Sequence, residues 1–317
     1  MMPQPSHRSA VLDRKLIVLS GKGGVGRTTV AAAMAYAAAA RGKRVLVAET
    51  QGQGRLGRLL GAAAPLGTDV TRVTDRIDAV NMTPVAALRE YGLMTLRIEA
   101  LYKVVFENRP VRAFLAAVPG LYAYSMLGKA WWHTTEQVNG RPKYDLVILD
   151  APASGHAVAM MKIPRALVTA MPKGPLTRDA QSIYNMLTSP TESAFVIVTL
   201  PEELPARETV ELVNTTRHKL NAPLGPLIVN AVPDPSWAAE PIRLALSAAG
   251  KHSNNPQLQS TLDGVRALSS RRLEAEPILK RLAASTQLPL VSLPRLFTSD
   301  MGPAETKALA QLLDEAL

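Results

Sequence analysis

The chain has 317 residues, of which 47% are hydrophobic and 20% are charged, a composition typical of a globular protein with a large core. It contains no cysteine, which excludes disulfides, thiolate zinc sites and iron–sulfur clusters. The net charge of +10 suits an anionic partner, such as a nucleotide, a nucleic acid or an acidic membrane surface, and it suits a solvated basic surface equally well.

The first 14 residues lack the apolar core of a signal peptide, and we expect them to form a flexible tail. No apolar run elsewhere reaches the ~20 residues that a membrane span needs. We therefore predict no transmembrane segment and a cytoplasmic location.

Seven apolar runs along the rest of the chain have the length and composition of buried strands. They lie at 15–20, 45–49, 77–82, 144–150, 195–200, 227–232 and 288–293. Helical patterns lie at 28–41, from about 154, at 206–220, between 236 and 285, and at 303–317. Continuous apolar strands that alternate with helices indicate a mostly parallel sheet covered on both faces. We predict one doubly wound α/β domain over 15–317, with helical inserts at about 84–140 and 160–192.

A glycine-rich loop, GKGGVGRT, joins the first predicted strand to the first helix at residues 21–28. It follows the phosphate-loop pattern G-x-x-x-x-G-K-[ST], except that Arg27 replaces the lysine. Glycines let backbone N–H groups turn toward phosphate oxygens, and the helix directs its positive end at them. The predicted nucleotide-binding residues are Gly21, Lys22, Gly23, Gly24, Val25, Gly26, Arg27, Thr28 and Thr29.

The strand LVILD ends in Asp150, the Walker-B arrangement that helps to hold Mg²⁺ in P-loop proteins. Its predicted partner at the metal is the hydroxyl of Thr28. An aspartate that caps a turn gives the same local pattern, so this assignment depends on the phosphate loop upstream.

Three groups of motifs resemble the ArsA-type ATPases, the family of the arsenite-pump ATPase and of the ATPase that delivers tail-anchored proteins. They are the early Lys22 of the deviant loop, the stretch DAPASGH at 150–156, which is similar to D-x-x-x-T-G-H, and the stretches 196–212, 227–234 and 293–313. The resemblance implies ATP and Mg²⁺ bound between two subunits, in a homodimer or in a heterodimer with a homologous ATPase. It also implies that Lys22 reaches the neighbour's nucleotide, that Ser154 and Gly155 contact the γ-phosphate, and that Asn230 reads adenine.

Two positions depart from that family. Gln51 stands where the family has the acid that activates the attacking water, and Arg27 is a planar fork in place of a compact lysine. Together they predict weak hydrolysis. Glu49 lies two residues earlier, on the same face if the strand continues, and is the candidate substitute. The lack of cysteine argues against metalloid transport and against a zinc-clamped dimer.

The methionines and aromatic residues of the two inserts predict either a buried core or a groove for a hydrophobic protein client.

Two alternatives to an ATPase switch with such a client stay open. One is a ParA/MinD-like switch that binds DNA or a membrane surface. DNA binding with a steep salt dependence would favour this alternative. Nucleic acid is the less favoured partner. The other is a hydrolysis-deficient partner subunit of a paralogous ATPase.

Overall fold

The structure is a computed structural model, and it describes residues 10–50, 54–96, 121–249 and 256–317. The strands, in chain order, are β1 (Leu16–Ser20), β2 (Val45–Glu49), β3 (Thr71–Arg72), β4 (Ile77–Asn81), β5 (Gln137–Val138), β6 (Arg141–Pro142), β7 (Leu146–Asp150), β8 (Ser193–Thr199), β9 (Leu224–Val232) and β10 (Leu290–Pro294). Eight of them form one sheet in the order β10-β9-β8-β1-β7-β2-β4-β3, while β5 and β6 form a separate hairpin. All neighbours in the large sheet are parallel except β3.

Helices cover both faces of this sheet. They are α1 (Arg27–Ala40), α2 (Arg55–Leu60), α3 (Pro84–Leu96), α4 (Leu121–Thr135), α5 (Ser154–Ala170), α6 (Pro175–Thr188), α7 (Glu203–Thr215), α8 (Glu240–Ala249), α9 (Pro256–Thr286) and α10 (Pro303–Ala316). Short 3₁₀ turns occur at Ala10–Asp13 and Pro235–Ala238, and a π turn at Thr216–Leu220 continues α7. The predicted α/β fold is therefore confirmed.

The central strands read as continuous apolar runs because both of their faces are buried. In β1, Leu16 and Val18 pack into the core on one side of the sheet, whereas Ile17 and Leu19 pack into the core on the other side. The alanine-rich α1 lies on the second side, where its small side chains allow close packing against the sheet and α10. This packing fixes the carboxyl ends of β1, β2 and β7 at one edge, where doubly wound sheets bind ligands.

Element boundaries differ from the predicted ones in a few places. The predicted helix at 206–220 begins earlier, at Glu203, and its last turn is π rather than α. The predicted helical insert 84–140 also contains the first strand of the β5–β6 hairpin. The turn of that hairpin is Asn139-Gly140, with φ of 54° and 74°, as the mirror-image two-residue turn requires. The sequence contains this Asn-Gly signal, and the helical prediction for 84–140 does not take it into account.

The methionines of the predicted client groove lie mostly inside the protein. Met126, Met160, Met161 and Met186 are buried in the core, while Met171 is exposed. These positions favour the core interpretation. The groove residues between 97 and 120 lie outside the described residues. No helix in the described ranges has the length and apolar character to cross a membrane.

Candidate functional site

The glycine loop packs against residues near the carboxyl ends of β8 and β9. Gly26 has a φ of +88°, and a side chain there would place its Cβ 2.2 Å from Asn230 Nδ2. That amide donates a hydrogen bond to the Val25 carbonyl at 3.0 Å. A Cβ on Gly21 would likewise meet the Val198 carbonyl oxygen at 2.2 Å. Both positions therefore require glycine, because no side chain fits against the neighbouring strands.

The loop leads directly into the N-terminus of α1. Gly26 is the N-cap, and as a glycine it has no side chain to accept a hydrogen bond from the first turn. The first N–H groups of the 14-residue helix thus remain available to an anion, and the helix dipole favours negative charge there.

Thr28 and Asp150 meet as the sequence predicts. The Thr28 hydroxyl donates to Asp150 Oδ2 at 2.6 Å. Asp150 is only 5% exposed, and burial raises its pKa, while the Thr28 hydrogen bond and the Arg27 charge lower it. A buried carboxylate and a hydroxyl are hard oxygen ligands of the kind that Mg²⁺ takes alongside phosphate oxygens.

Three buried oxygens at this edge have no hydrogen-bond partner among the described residues. They are Ser20 Oγ, Glu49 Oε2 and Asp150 Oδ1, at the ends of the three neighbouring strands β1, β2 and β7. Buried polar atoms are normally satisfied, so unpaired ones at a single edge indicate a bound group. These residues fit a metal ion and its phosphates.

Arg27 turns toward the carboxyl end of β7. Its guanidinium donates to the Ala151 carbonyl, and Nη1 lies 4.0 Å from Asp150 Oδ1. The side chain is 13% exposed. In this position the charge lies near the Asp150 carboxylate, and one N–H of the guanidinium donates to the backbone.

Glu49 is the second buried carboxylate of the site, at 4% exposed. It stands opposite Asp150 in the register between β2 and β7. Burial, and then the negative charge of Asp150, raise its pKa to about 7, while the Leu56 backbone hydrogen bond and the Arg55 charge lower it. Gln51 lies outside the described residues, so its predicted role stays a prediction.

In the metal-free protein, raising the pH from 5 to 7 is expected to lower the free energy of unfolding by about 2 kcal/mol through Glu49. The pKa of this carboxyl is about 7 in the folded chain against an ordinary value of 4.5. The folded state therefore binds the proton more tightly, and this stabilisation, fully present below 4.5, is lost as the pH rises through 7. The amide in the Glu49→Gln variant cannot ionise, so this variant should lose this part of the pH dependence of the free energy of unfolding.

Urea unfolding at the two pH values, in the presence of EDTA, measures the difference. Glu192→Gln is the matched control, because Glu192 pairs with Lys15 at an exposed position. A pH slope in Glu49→Gln equal to that of the unaltered chain would contradict the prediction.

Lys22 and the stretch after Asp150 border the loop. Lys22 Nζ lies 2.7 Å from Glu208 Oε1 on α7, with the two side chains 34% and 38% exposed. Sequence reasoning missed this partner, because the pair is 186 positions apart. The Ser154 backbone N–H donates to the Gly21 carbonyl at 3.1 Å, so the start of α5 is tied to the loop, and Gly155 is exposed beside it.

A cleft of about 1030 Å³ opens beside the loop. Gly24, Val25, Gly26, Thr29 and Asn230 line one end of it. Residues that the sequence did not suggest line the rest, including Arg271 and Arg281 of α9 and Arg295 after β10. The predicted adenine-reading Asn230 thus lies in a cleft that continues from the phosphate loop.

Comparisons with known proteins identify the family of the chain. A family model described as "Anion-transporting ATPase" matches residues 14–177. ATPase BagA of Mycobacterium tuberculosis is 28% identical over 238 residues, which cover 71% of this chain and 66% of BagA. ATPase GET3 of Lachancea thermotolerans is 24% identical over 235 residues, 63% of this chain and 67% of GET3.

A Halobacterium salinarum protein described as an arsenical pump-driving ATPase is 26% identical over 215 residues, 62% of this chain and 32% of that protein. The matched region thus spans slightly less than two thirds of BagA and about a third of the pump-driving protein. The family model covers more than half of the 317 residues, and it confirms the resemblance read from the motifs. The chain belongs to the anion-transporting, ArsA-type ATPase family.

Proposed function

We propose that this chain binds ATP with Mg²⁺ beside the glycine loop and works as a nucleotide-dependent conformational switch. The observation that carries the proposal is the contact of Thr28 with Asp150 at 2.6 Å, next to a buried Asp150 oxygen that accepts no hydrogen bond from the described residues. Thr28 and Asp150 would hold Mg²⁺, which would neutralise negative charge on the bound phosphates. The glycine loop supplies the backbone N–H groups for the same phosphates.

The remaining residues take roles that follow from their positions. Asn230 is positioned to meet the adenine, because it lines the cleft next to the loop. Ser154 and Gly155 begin α5, whose first N–H is bonded to the loop, and we assign them to the γ-phosphate. A change at that phosphate would reach α5 directly through this connection.

Weak hydrolysis is part of the proposal. The Arg27 guanidinium is engaged with the Ala151 carbonyl, and glutamine stands at position 51, where the family has an acid. A glutamine can orient water but cannot take its proton. Glu49, buried opposite Asp150 on the neighbouring strand, is a carboxylate that could serve instead.

We further propose that the working form is a dimer, with itself or with a homologous ATPase, in which Lys22 reaches the partner's nucleotide. The ion pair with Glu208 does not oppose this, since a partly exposed pair contributes at most about 1 kcal/mol. Purification of the tagged chain with nucleotide present tests the pairing. A chain that stays monomeric and brings down no paralogous ATPase would overturn it.

The decisive experiment is a calorimetric titration of the chain with Mg·ATP and Mg·ADP at low salt, followed by a turnover assay. We expect saturable uptake of one nucleotide per chain and slow phosphate release. Absence of uptake by the chain and by its assembled complex would refute the proposal. Brisk turnover would refute only its statement about weak hydrolysis.

A further inference from the structure

A second pocket lies away from the nucleotide cleft, between α5, α6 and the π turn. Its volume is about 420 Å³, within the range of small-molecule sites. It shares no lining residue with the cleft beside the glycine loop. The lining residues are Met161, Lys162, Arg165, Ala166, Thr169, Ala170, Tyr184, Lys219 and Leu220.

The floor of this pocket is apolar. Met161 and Leu220 are buried, and the small side chains of Ala166 and Ala170 occupy little of the pocket volume. The ring of Tyr184 contributes a wall from α6. Such a floor suits a hydrocarbon chain.

The rim carries charge of one sign. Lys162 and Arg165 lie on α5, and Lys219 stands on the π turn opposite them. No carboxylate lines the pocket, and none of the three cations pairs with a carboxylate in the described part of the chain. The cleft beside the glycine loop differs, because the carboxylates of Glu202, Glu203 and Glu274 line it together with its arginines.

Both walls that hold the cations depart from regular helix. Pro164 lies inside α5, where it removes one backbone hydrogen bond of the helix. Thr216–Leu220 forms a π turn, a rare conformation that is frequent at functional sites. Local departures of this kind are expected where function requires a particular shape.

We propose that this pocket binds a single-chain amphiphile with an anionic head, such as the carboxylate of a fatty acid. The chain lies on the apolar floor, and the head meets Lys162, Arg165 and Lys219. Arginine and lysine pair strongly with carboxylates, while their aliphatic stems extend the apolar wall. The volume of about 420 Å³ accommodates one chain of a free molecule, and binding to a bilayer surface is distinguished by the experiment below.

Calorimetric titration with decanoate, below its micelle concentration and without nucleotide, tests this site. We expect saturable one-to-one binding that the double variant Arg165→Glu, Lys219→Glu weakens at least about tenfold. Ala166→Trp places a ring over the floor and should abolish binding. Arg141→Glu, on the β5–β6 hairpin, is the matched charge control and should bind as the unaltered chain does.

Decyltrimethylammonium, with the same chain length and a cationic head, should not bind. Comparable binding of both amphiphiles, no saturable binding of decanoate, or full binding by the double variant would each overturn the proposal. Binding to phosphatidylglycerol vesicles in the absence of decanoate binding would also overturn it, in favour of a membrane surface. Circular dichroism and thermal melting confirm that each variant is folded. Failure here leaves the nucleotide proposal untouched, because no nucleotide is present.

Discussion

Replacing Asp150 by asparagine is expected to lower the affinity for Mg·ATP about 100-fold, which corresponds to about 3 kcal/mol. Asparagine keeps the size of the side chain and can still accept the Thr28 hydrogen bond. It removes the negative charge that the proposed Mg²⁺ site needs, at a buried position where water cannot replace the carboxylate. The loss should fall on Mg²⁺-dependent binding alone.

The fold should survive this change. Burial raises the pKa of Asp150, which means that keeping this carboxyl ionised costs the metal-free folded chain free energy. The neutral amide of the Asp150→Asn variant carries no such cost, so the thermal stability of the metal-free variant should equal or exceed that of the unaltered chain. Calorimetry with and without EDTA, together with melting curves, measures both effects.

Asp145→Asn is the matched control. Asp145 precedes the same strand at its opposite end, where it pairs with Arg44 near the surface. We expect this variant to bind Mg·ATP normally. Equal Mg²⁺-dependent affinity in Asp150→Asn and the unaltered chain would show that the metal is held elsewhere.

The strands and the centre of the site can be predicted from the sequence for a physical reason. β1, β2, β7 and β8 are buried on both faces, so each is an uninterrupted apolar run, and the carboxyl ends of neighbouring parallel strands meet. The contact of Thr28 with Asp150 follows from that geometry, because one residue lies in the first turn of the helix after β1 and the other ends the adjacent β7.

The features that escaped prediction depend on how distant elements pack. The pairing of Lys22 with Glu208 requires the orientation of α7, which no local pattern encodes. Two arginines of the cleft come from α9, a 31-residue helix. Which side of this helix faces the cleft depends on its packing against other elements. The direction of Arg27 is another case, because its partner is a backbone carbonyl rather than a side chain.

The conversion of Arg27 to lysine is expected to raise the rate of ATP hydrolysis by about 10- to 100-fold, the scale on which single charged donors act on transition states. Lysine ends in one compact ammonium, whereas arginine spreads its charge over a fork that here donates to the Ala151 carbonyl. A shorter ammonium released from that carbonyl can lie between the phosphates. It would also leave Asp150 Oδ1, now 4.0 Å from the guanidinium, to the metal.

Single-turnover rates and nucleotide affinities, measured side by side, separate the possible origins of the slow hydrolysis that we propose. Arg41→Lys is the control for the exchange itself, because Arg41 follows the far end of the same helix, where it pairs with Asp314. If Arg27→Lys binds ATP as before and hydrolyses it no faster, Arg27 does not limit the reaction. The water-activating residue then limits it, and only the variant that adds Gln51→Asp should recover turnover. If both variants stay slow while binding is retained, hydrolysis is not what this chain contributes, and we infer that its nucleotide stabilises the proposed dimer.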